Sequence, residues 1–112
     1  MSEWVQVATR EDFGAGSCHV ITQETTNIAL FLVEEDVFAI EAACPHMLAP
    51  FSDGELDGAV IICPWHKARY SLRTGSCLGP QSYDSARVYS VRWEGDNVLL
   101  EWPPGQGKLV IR

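Results

Sequence analysis

An all-β fold of antiparallel strands is what this chain predicts, on three features. Short apolar or alternating runs recur along its 112 residues, clusters of turn-forming residues separate them, and no stretch keeps the spacing of an amphipathic helix. At this length the chain makes a single domain with a modest core. Hydrophobic residues at 46% and charged residues at 21% fit an ordinary water-facing globular domain.

The elements follow in order. Trp4-Val5-Gln6-Val7 alternates and predicts a first strand, ended by a turn at Glu11-Asp12-Phe13-Gly14. Cys18–Thr22 is the next strand. Asn27–Val33 and Val37–Ala42 are apolar runs joined by Glu34-Glu35-Asp36, a hairpin with an acidic tip. Ala59–Ile62 is short and wholly apolar. Arg87–Trp93 alternates cleanly, turns at Glu94-Gly95-Asp96-Asn97 and returns through Val98–Leu100. Pro103-Pro104-Gly105 ends the regular pattern, and Leu109–Ile111 could add a last edge strand. Trp4, Trp93 and Trp102 sit in strand patterns and are expected in the core, and His19 reads as a strand histidine with no metal role.

Two runs carry the chemistry, Cys44-Pro45-His46 and Cys63-Pro64-Trp65-His66, which read C-x-H, sixteen intervening residues, C-x-x-H. Each supplies one thiolate and one imidazole, and sulfur–nitrogen sets of four hold zinc or iron–sulfur clusters. Structural zinc sites pair their ligands as C-x₂₋₄-C and H-x₃₋₅-H, which this interleaved order does not match. A [2Fe–2S] centre with two cysteines on one iron and two histidines on the other needs two such mixed pairs. Each pair follows a strand, so a sheet aims the loop that bears it. Pro45 and Pro64, directly after the cysteines, stiffen those loops.

These residues resemble Rieske-type ferredoxins and Rieske domains. Cys44–Asp57 (CPHMLAPFSDGELD) and Gly58–Gly75 (GAVIICPWHKARYSLRTG) are similar to the family's two cluster-binding loops, and Gly79-Pro80 to its third, proline-bearing loop. The resemblance implies an antiparallel β-sandwich or barrel as basal domain, with a cluster-binding subdomain of about 43–80 inserted between 1–42 and 81–112. It implies one Rieske-type [2Fe–2S] cluster, with Cys44 and Cys63 on the inner iron and His46 and His66 on the outer one. Tyr70 would donate its hydroxyl to a ligand cysteine sulfur, and Trp65, Lys67 and Pro80 would flank the site. The respiratory relatives have a disulfide between the ligand loops and a serine at the position of Ala68. This chain has neither, which implies a potential near the bottom of the Rieske range. By the same resemblance the protein carries single electrons from a flavin-dependent ferredoxin reductase to a terminal, aromatic-ring oxygenase, with no catalysis of its own. Related contexts are a module of a reductase similar to apoptosis-inducing factor, or a small subunit of a nitrite reductase system.

Charge bears on partners. The formal net charge of −7 excludes nucleic acid, which requires a basic face. Between Cys44 and Pro80, Lys67, Arg69 and Arg73 balance Asp53, Glu55 and Asp57, so five basic and twelve acidic residues elsewhere carry the whole excess. That acidity either keeps the protein in solution or draws it toward a basic partner. Met47, Leu48, Pro64, Trp65 and Pro80 would form an apolar rim for transient docking, unless Trp65 packs inward. No signal peptide is visible and the longest apolar run, Gly58–Trp65, is too short for a bilayer, so the expectation is a cytoplasmic monomer off the membrane. In that reducing compartment Cys18 and Cys77 are expected as unbridged structural thiols.

Overall fold

The computed structural model describes residues 2–14, 17–45, 48–65, 67–79 and 84–104. Eleven strands run through them in three antiparallel sheets: β1 (Glu3–Thr9), β2 (Cys18–Gln23), β3 (Thr26–Val33), β4 (Asp36–Glu41), β5 (Glu55–Leu56), β6 (Val60–Ile62), β7 (Arg69–Ser71), β8 (Cys77–Gly79), β9 (Val88–Tyr89), β10 (Val91–Glu94) and β11 (Asn97–Trp102). The sheet orders are β1-β11-β10, β2-β3-β4-β9 and β5-β6-β7-β8. Where described, the all-β antiparallel expectation holds. The first two sheets face each other as a sandwich, with β10 lying along β4 and β1 along β2.

The β3–β4 hairpin forms as expected, with Val33 opposite Asp36, so the turn is Glu34–Glu35 alone and Asp36 joins the strand. Three two-residue turns, after β2, β3 and β10, place a positive φ on their first residue: Glu24, Glu34 and Gly95. A turn of this twist matches the right-handed twist of the flanking strands. The segment Glu11–Gly14 is a turn of 3₁₀ helix, Arg10–Phe13, where the Asp12 carboxylate accepts from the Thr9 amide at 2.8 Å and Phe13 is buried.

The alternating run Arg87–Trp93 is two strands rather than one. Its first half, β9, pairs with β4 and its second half, β10, with β11, so the chain changes sheet at Ser90. Alternation persists through the corner because both halves face the same interior. Trp4 is a second departure, since it is 41% exposed. It pairs with Glu101 on the outer face of its sheet, with the Arg92 guanidinium 4.2 Å from its ring centroid. Trp93 and Trp102 do pack against the core. The expected strand Leu109–Ile111 lies outside the described residues.

Strand β3 explains where the rest sits. Ile28, Ala29, Leu30 and Phe31 are all buried, and their parity separates two cores. Ile28 and Leu30 face the sandwich interior with Ala8, Phe13, Val98 and Leu100. Ala29 and Phe31 face the other way, onto Phe51, Ile61, Tyr70 and Leu72. The small β5–β8 sheet is therefore seated on the back of the β2–β3–β4–β9 sheet. Its neck is tied where the chain leaves and returns: the Glu41 amide donates to the Arg87 carbonyl at 2.8 Å, and the Arg87 amide donates to the Glu41 carboxylate at 2.7 Å.

The turn between β7 and β8 locks onto the same neck through Gly75, whose carbonyl accepts from the Ala86 amide at 2.8 Å. Gly75 has φ +82, and a Cβ there would collide with the Ala86 carbonyl. Gly95, at φ +63, has open space around it. Gly75→Ala should therefore cost well over about 2 kcal/mol, while Gly95→Ala costs only the left-handed penalty of about 1–2 kcal/mol. Urea unfolding of the two variants measures the difference, and equal losses would mean that the Gly75 contact is unimportant.

Candidate metal centre

Cys44 and Cys63 sit on loops that are built alike. Cys44 comes after β4 and an isolated bridge between Ala43 and Pro50, and Cys63 comes directly after β6. In the first loop the Cys44 amide donates to the Ala49 carbonyl at 2.7 Å and the Leu48 amide to the Cys44 carbonyl at 2.7 Å. In the second the Cys63 amide donates to the Ala68 carbonyl at 2.8 Å and the Lys67 amide to the Cys63 carbonyl at 3.0 Å. The frame is thus the same five-step closure from cysteine to alanine, with Ala49 and Ala68 both fully buried. Its fourth step is left-handed in both, φ +60 at Leu48 and +61 at Lys67. The histidines fall at different steps of this common frame, the second for His46 and the third for His66.

His46, His66, Met47 and Pro80 lie outside the described residues. Cys44 and Cys63 are 1% and 0% exposed and belong to one core cluster. Tyr70, from the middle of β7, is fully buried with its hydroxyl 3.6 Å from Cys44 Sγ. Its ring meets Phe51 edge-on, with centroids 5.4 Å apart. Burial, then the hydrogen bond with Cys44 and the nearby charges of Cys44, Cys77 and Cys63, push the phenol above its ordinary range. It stays protonated and donates when Cys44 is a thiolate. Cys77 stands opposite Tyr70 across β7–β8. That neighbour was not anticipated from sequence, because β8 carries no strand signal of its own.

Trp65 is 60% exposed, so it does not pack inward over the cysteines. Lys67 is exposed and makes no ion pair among the described residues. Leu48 is 74% exposed. Among the described residues no three metal-ligating side chains converge. The described half of the donor set suits a metal cluster: two buried thiols on matched loops, one facing a protonated phenol that can donate to a thiolate.

Comparison with known proteins settles the family. The profile of the Rieske [2Fe-2S] domain matches residues 3–90. The chain belongs to the Rieske family. It is 30% identical over 99 residues to the ferredoxin component of the naphthalene 1,2-dioxygenase system of Pseudomonas aeruginosa, covering 88% of this chain and 95% of that one. It is 31% identical over 88 residues to the biphenyl dioxygenase ferredoxin subunit of Pseudomonas sp. (strain KKS102), covering 78% and 81%. A solved complex of reduced oxygenase and oxidised ferredoxin in carbazole 1,9a-dioxygenase contains a chain with TM-score 0.79 and 25% identity, covering 91% of this chain and 95% of that one. The cofactor of a Rieske chain is a [2Fe–2S] cluster, and the four-residue set read from sequence is of the type that binds it.

None of the four cysteines is in a disulfide. Cys18, at the start of β2, is half-buried against the same core, and burial together with the Asp53 carboxylate raises its pKa from 9.0 to about 11. Folding therefore favours the thiol. This contribution is whole below pH 9, where an unfolded chain would begin to ionise, and is lost as pH rises through about 11. Iodoacetamide at pH 8 should alkylate Cys18 about a hundredfold more slowly than a free thiol, with the rate inflecting near pH 11. Peptide mass spectrometry follows it, and an inflection near 9 would mean the site is open to water. Tyr70→Phe should leave a folded, coloured protein whose midpoint falls by about 40 mV, if the donor favours the reduced state by about 1 kcal/mol. A midpoint that rises would show that the hydroxyl does not donate to sulfur.

Proposed function

We propose that this chain is a monomeric one-electron carrier of the cytoplasm, which takes electrons from a flavin-dependent reductase and delivers them to a terminal oxygenase of aromatic rings. The observation that carries this reading is the matched, buried pair Cys44 and Cys63 in a chain whose relatives are ferredoxin components over nearly their whole length. Cys44 and Cys63 hold one iron and His46 and His66 the other, within a cluster-binding part of about 43–80 set into a basal domain of 1–42 and 81–112. When bound, such a cluster accepts and returns one electron at roughly −150 to +300 mV, against about −400 mV for plant-type clusters.

The chain's own residues do the rest. The two buried loop frames keep the thiol pair away from water and fixed in place, so little rearranges when charge arrives. Tyr70 offers its O–H to Cys44 and favours the added negative charge. Ala68, fully buried, has no hydroxyl to add a second donor, which favours the low end of the potential range. Leu48 and Trp65 extend into solvent beside the loops and give a partner an apolar surface to meet. One shallow groove of about 410 Å³ runs between β4, β9 and the Leu72–Arg73 turn, and its lining contains no carboxylate, histidine or cysteine. No described helix is long and apolar enough to cross a membrane.

Dithionite-reduced protein should show a rhombic EPR signal with an average g below that of four-cysteine clusters and a midpoint well above about −400 mV. His46→Ala or His66→Ala should bleach it, and Cys18→Ser should not. Stoichiometric zinc with no EPR signal would sink the cluster assignment. Cluster-loaded protein that passes no electrons from a flavin reductase to an aromatic-ring oxygenase would sink the carrier role.

A further inference from the structure

Leu48 and Lys67 occupy the same step of the two cysteine loops, and that step is left-handed in both. A left-handed backbone disfavours every residue with a Cβ, so glycine would suit the loops better. The other two non-glycine residues with positive φ, Glu24 and Glu34, begin two-residue hairpin turns at strand ends. Leu48 and Lys67 instead stand one or two positions from the ligand histidines. Side chains kept where the fold would prefer none point to a use outside the fold.

Their chemistry says what that use is. Leu48 is the most exposed large apolar side chain described, at 74%, and Trp65 at 60% stands in the opposite loop. Lys67 is the only charged side chain in residues 44–49 and 63–68 apart from the ligands themselves. Among the described residues it has no ion-pair partner.

The remaining charge is arranged along the molecule. The β3–β4 turn brings Glu34, Glu35 and Asp36, and the β10–β11 turn brings Glu94 and Asp96. Glu11 and Asp12 of the 3₁₀ turn join them. Arg10 ties these elements together, 3.8 Å from Glu35 and 3.3 Å from Asp96, and Trp93 Nε1 donates to the Glu35 carbonyl at 2.9 Å. Among the described residues, seven carboxylates thus gather with Arg10 at this pole. Asp36 is at the pole end of β4, and Cys44 lies beyond its other end, which puts the pole about 20 Å from the site. A basic partner would attract the wrong end. An acidic surface is repelled by the pole and meets its least unfavourable approach at the cysteine loops.

We propose that Leu48 and Lys67 select the electron partner, fitting a protein surface with an apolar depression for Leu48 and a carboxylate rim for Lys67. This rests on the carrier reading and adds to it the sign and shape of the partner's surface. It departs from one of the two readings of the acidic surface given above, attraction toward a basic partner.

Two measurements on cluster-loaded protein test it. In the first, stopped-flow oxidation of reduced protein uses ferricyanide as anionic and hexaammineruthenium(III) as cationic probe. Lys67→Glu should slow the anion and speed the cation by about threefold or more at low salt, with the effect gone at about 1 M salt, where the Debye length is about 3 Å. Glu34→Lys, at the far pole, should shift either rate by less than half as much. Equal effects of the two variants would overturn the assigned field. In the second, the best acceptor of wild-type electrons among the naphthalene, biphenyl and carbazole oxygenases is the probe. Leu48→Gly should lower the second-order rate constant at every salt concentration, Lys67→Gly only at low salt, and Lys67→Arg should restore it. Both glycine variants should keep the wild-type EPR spectrum and melt no lower than wild type. Unchanged transfer rates would overturn the proposal, and so would lowered melting with a bleached spectrum, which would assign the side chains to loop structure. A wild-type protein that reduces none of the three oxygenases would count against the carrier reading, while the small-ion arm still decides the field at Lys67.

Discussion

Between Ile28 and Phe31 every side chain of β3 is buried, and residue parity decides which of two cores each one serves. A strand wet on one face could support the sandwich or the cysteine-bearing sheet, but not both. Because β3 serves both, the loop-bearing part shares its platform with the basal domain and is not a loosely hung appendage. The double hydrogen bond between Glu41 and Arg87 and the lock at Gly75 close the same joint at its rim. A carrier gains from this rigidity, since whatever does not move on charge transfer adds nothing to the barrier.

Placing two thiols in that shared core has an electrostatic consequence. No buried charged side chain accompanies Cys44 and Cys63 among the described residues. Their own amides are committed to the Ala49 and Ala68 carbonyls. A pair of thiolates left there without a cation would be strongly disfavoured, and the Tyr70 hydroxyl is positioned to donate to one of them. A metal held by both thiols would offset that cost, and its binding would then be coupled to folding of the loops.

Much of this was legible in the sequence, and the parts that were not have definite causes. The hairpins around Glu34–Glu35 and Gly95–Asp96 declare themselves because an apolar run, a turn and a second run are all local. Strands β5, β7 and β8 have two or three residues each and exist only as partners of β6 and of one another, so no periodicity announces them. The sheet change at Ser90 is invisible because alternation records which side faces the core, not which neighbour supplies the hydrogen bonds. Trp4 misleads for a related reason: an aromatic in an alternating strand can lie on the outer face when an arginine covers it. The two cysteine-bearing runs themselves are plain in the sequence. The common loop frame behind them was half visible, as the repeated interval from Cys44 to Ala49 and from Cys63 to Ala68, but its left-handed step is a property of the backbone alone.

Net charge shows the same limit from another direction. Composition assigns −7 to the chain, which by itself fits either solubility or attraction to a basic partner. The neutrality of segment 44–80 is already a sequence count, while folding adds a carboxylate pole gathered from three segments that are far apart in sequence. At about 0.1 M salt the Debye length is about 10 Å, so a partner touching the loops feels little of a pole about 20 Å away. What it feels is the local set, which among the described residues includes the exposed cation Lys67 and the exposed apolar Leu48 and Trp65. The distant pole acts earlier, during approach, by disfavouring orientations that would bring it against an acidic surface. Orientation and recognition are thus assigned to opposite ends of one small molecule, and the rigid joint through β3 keeps the two in register.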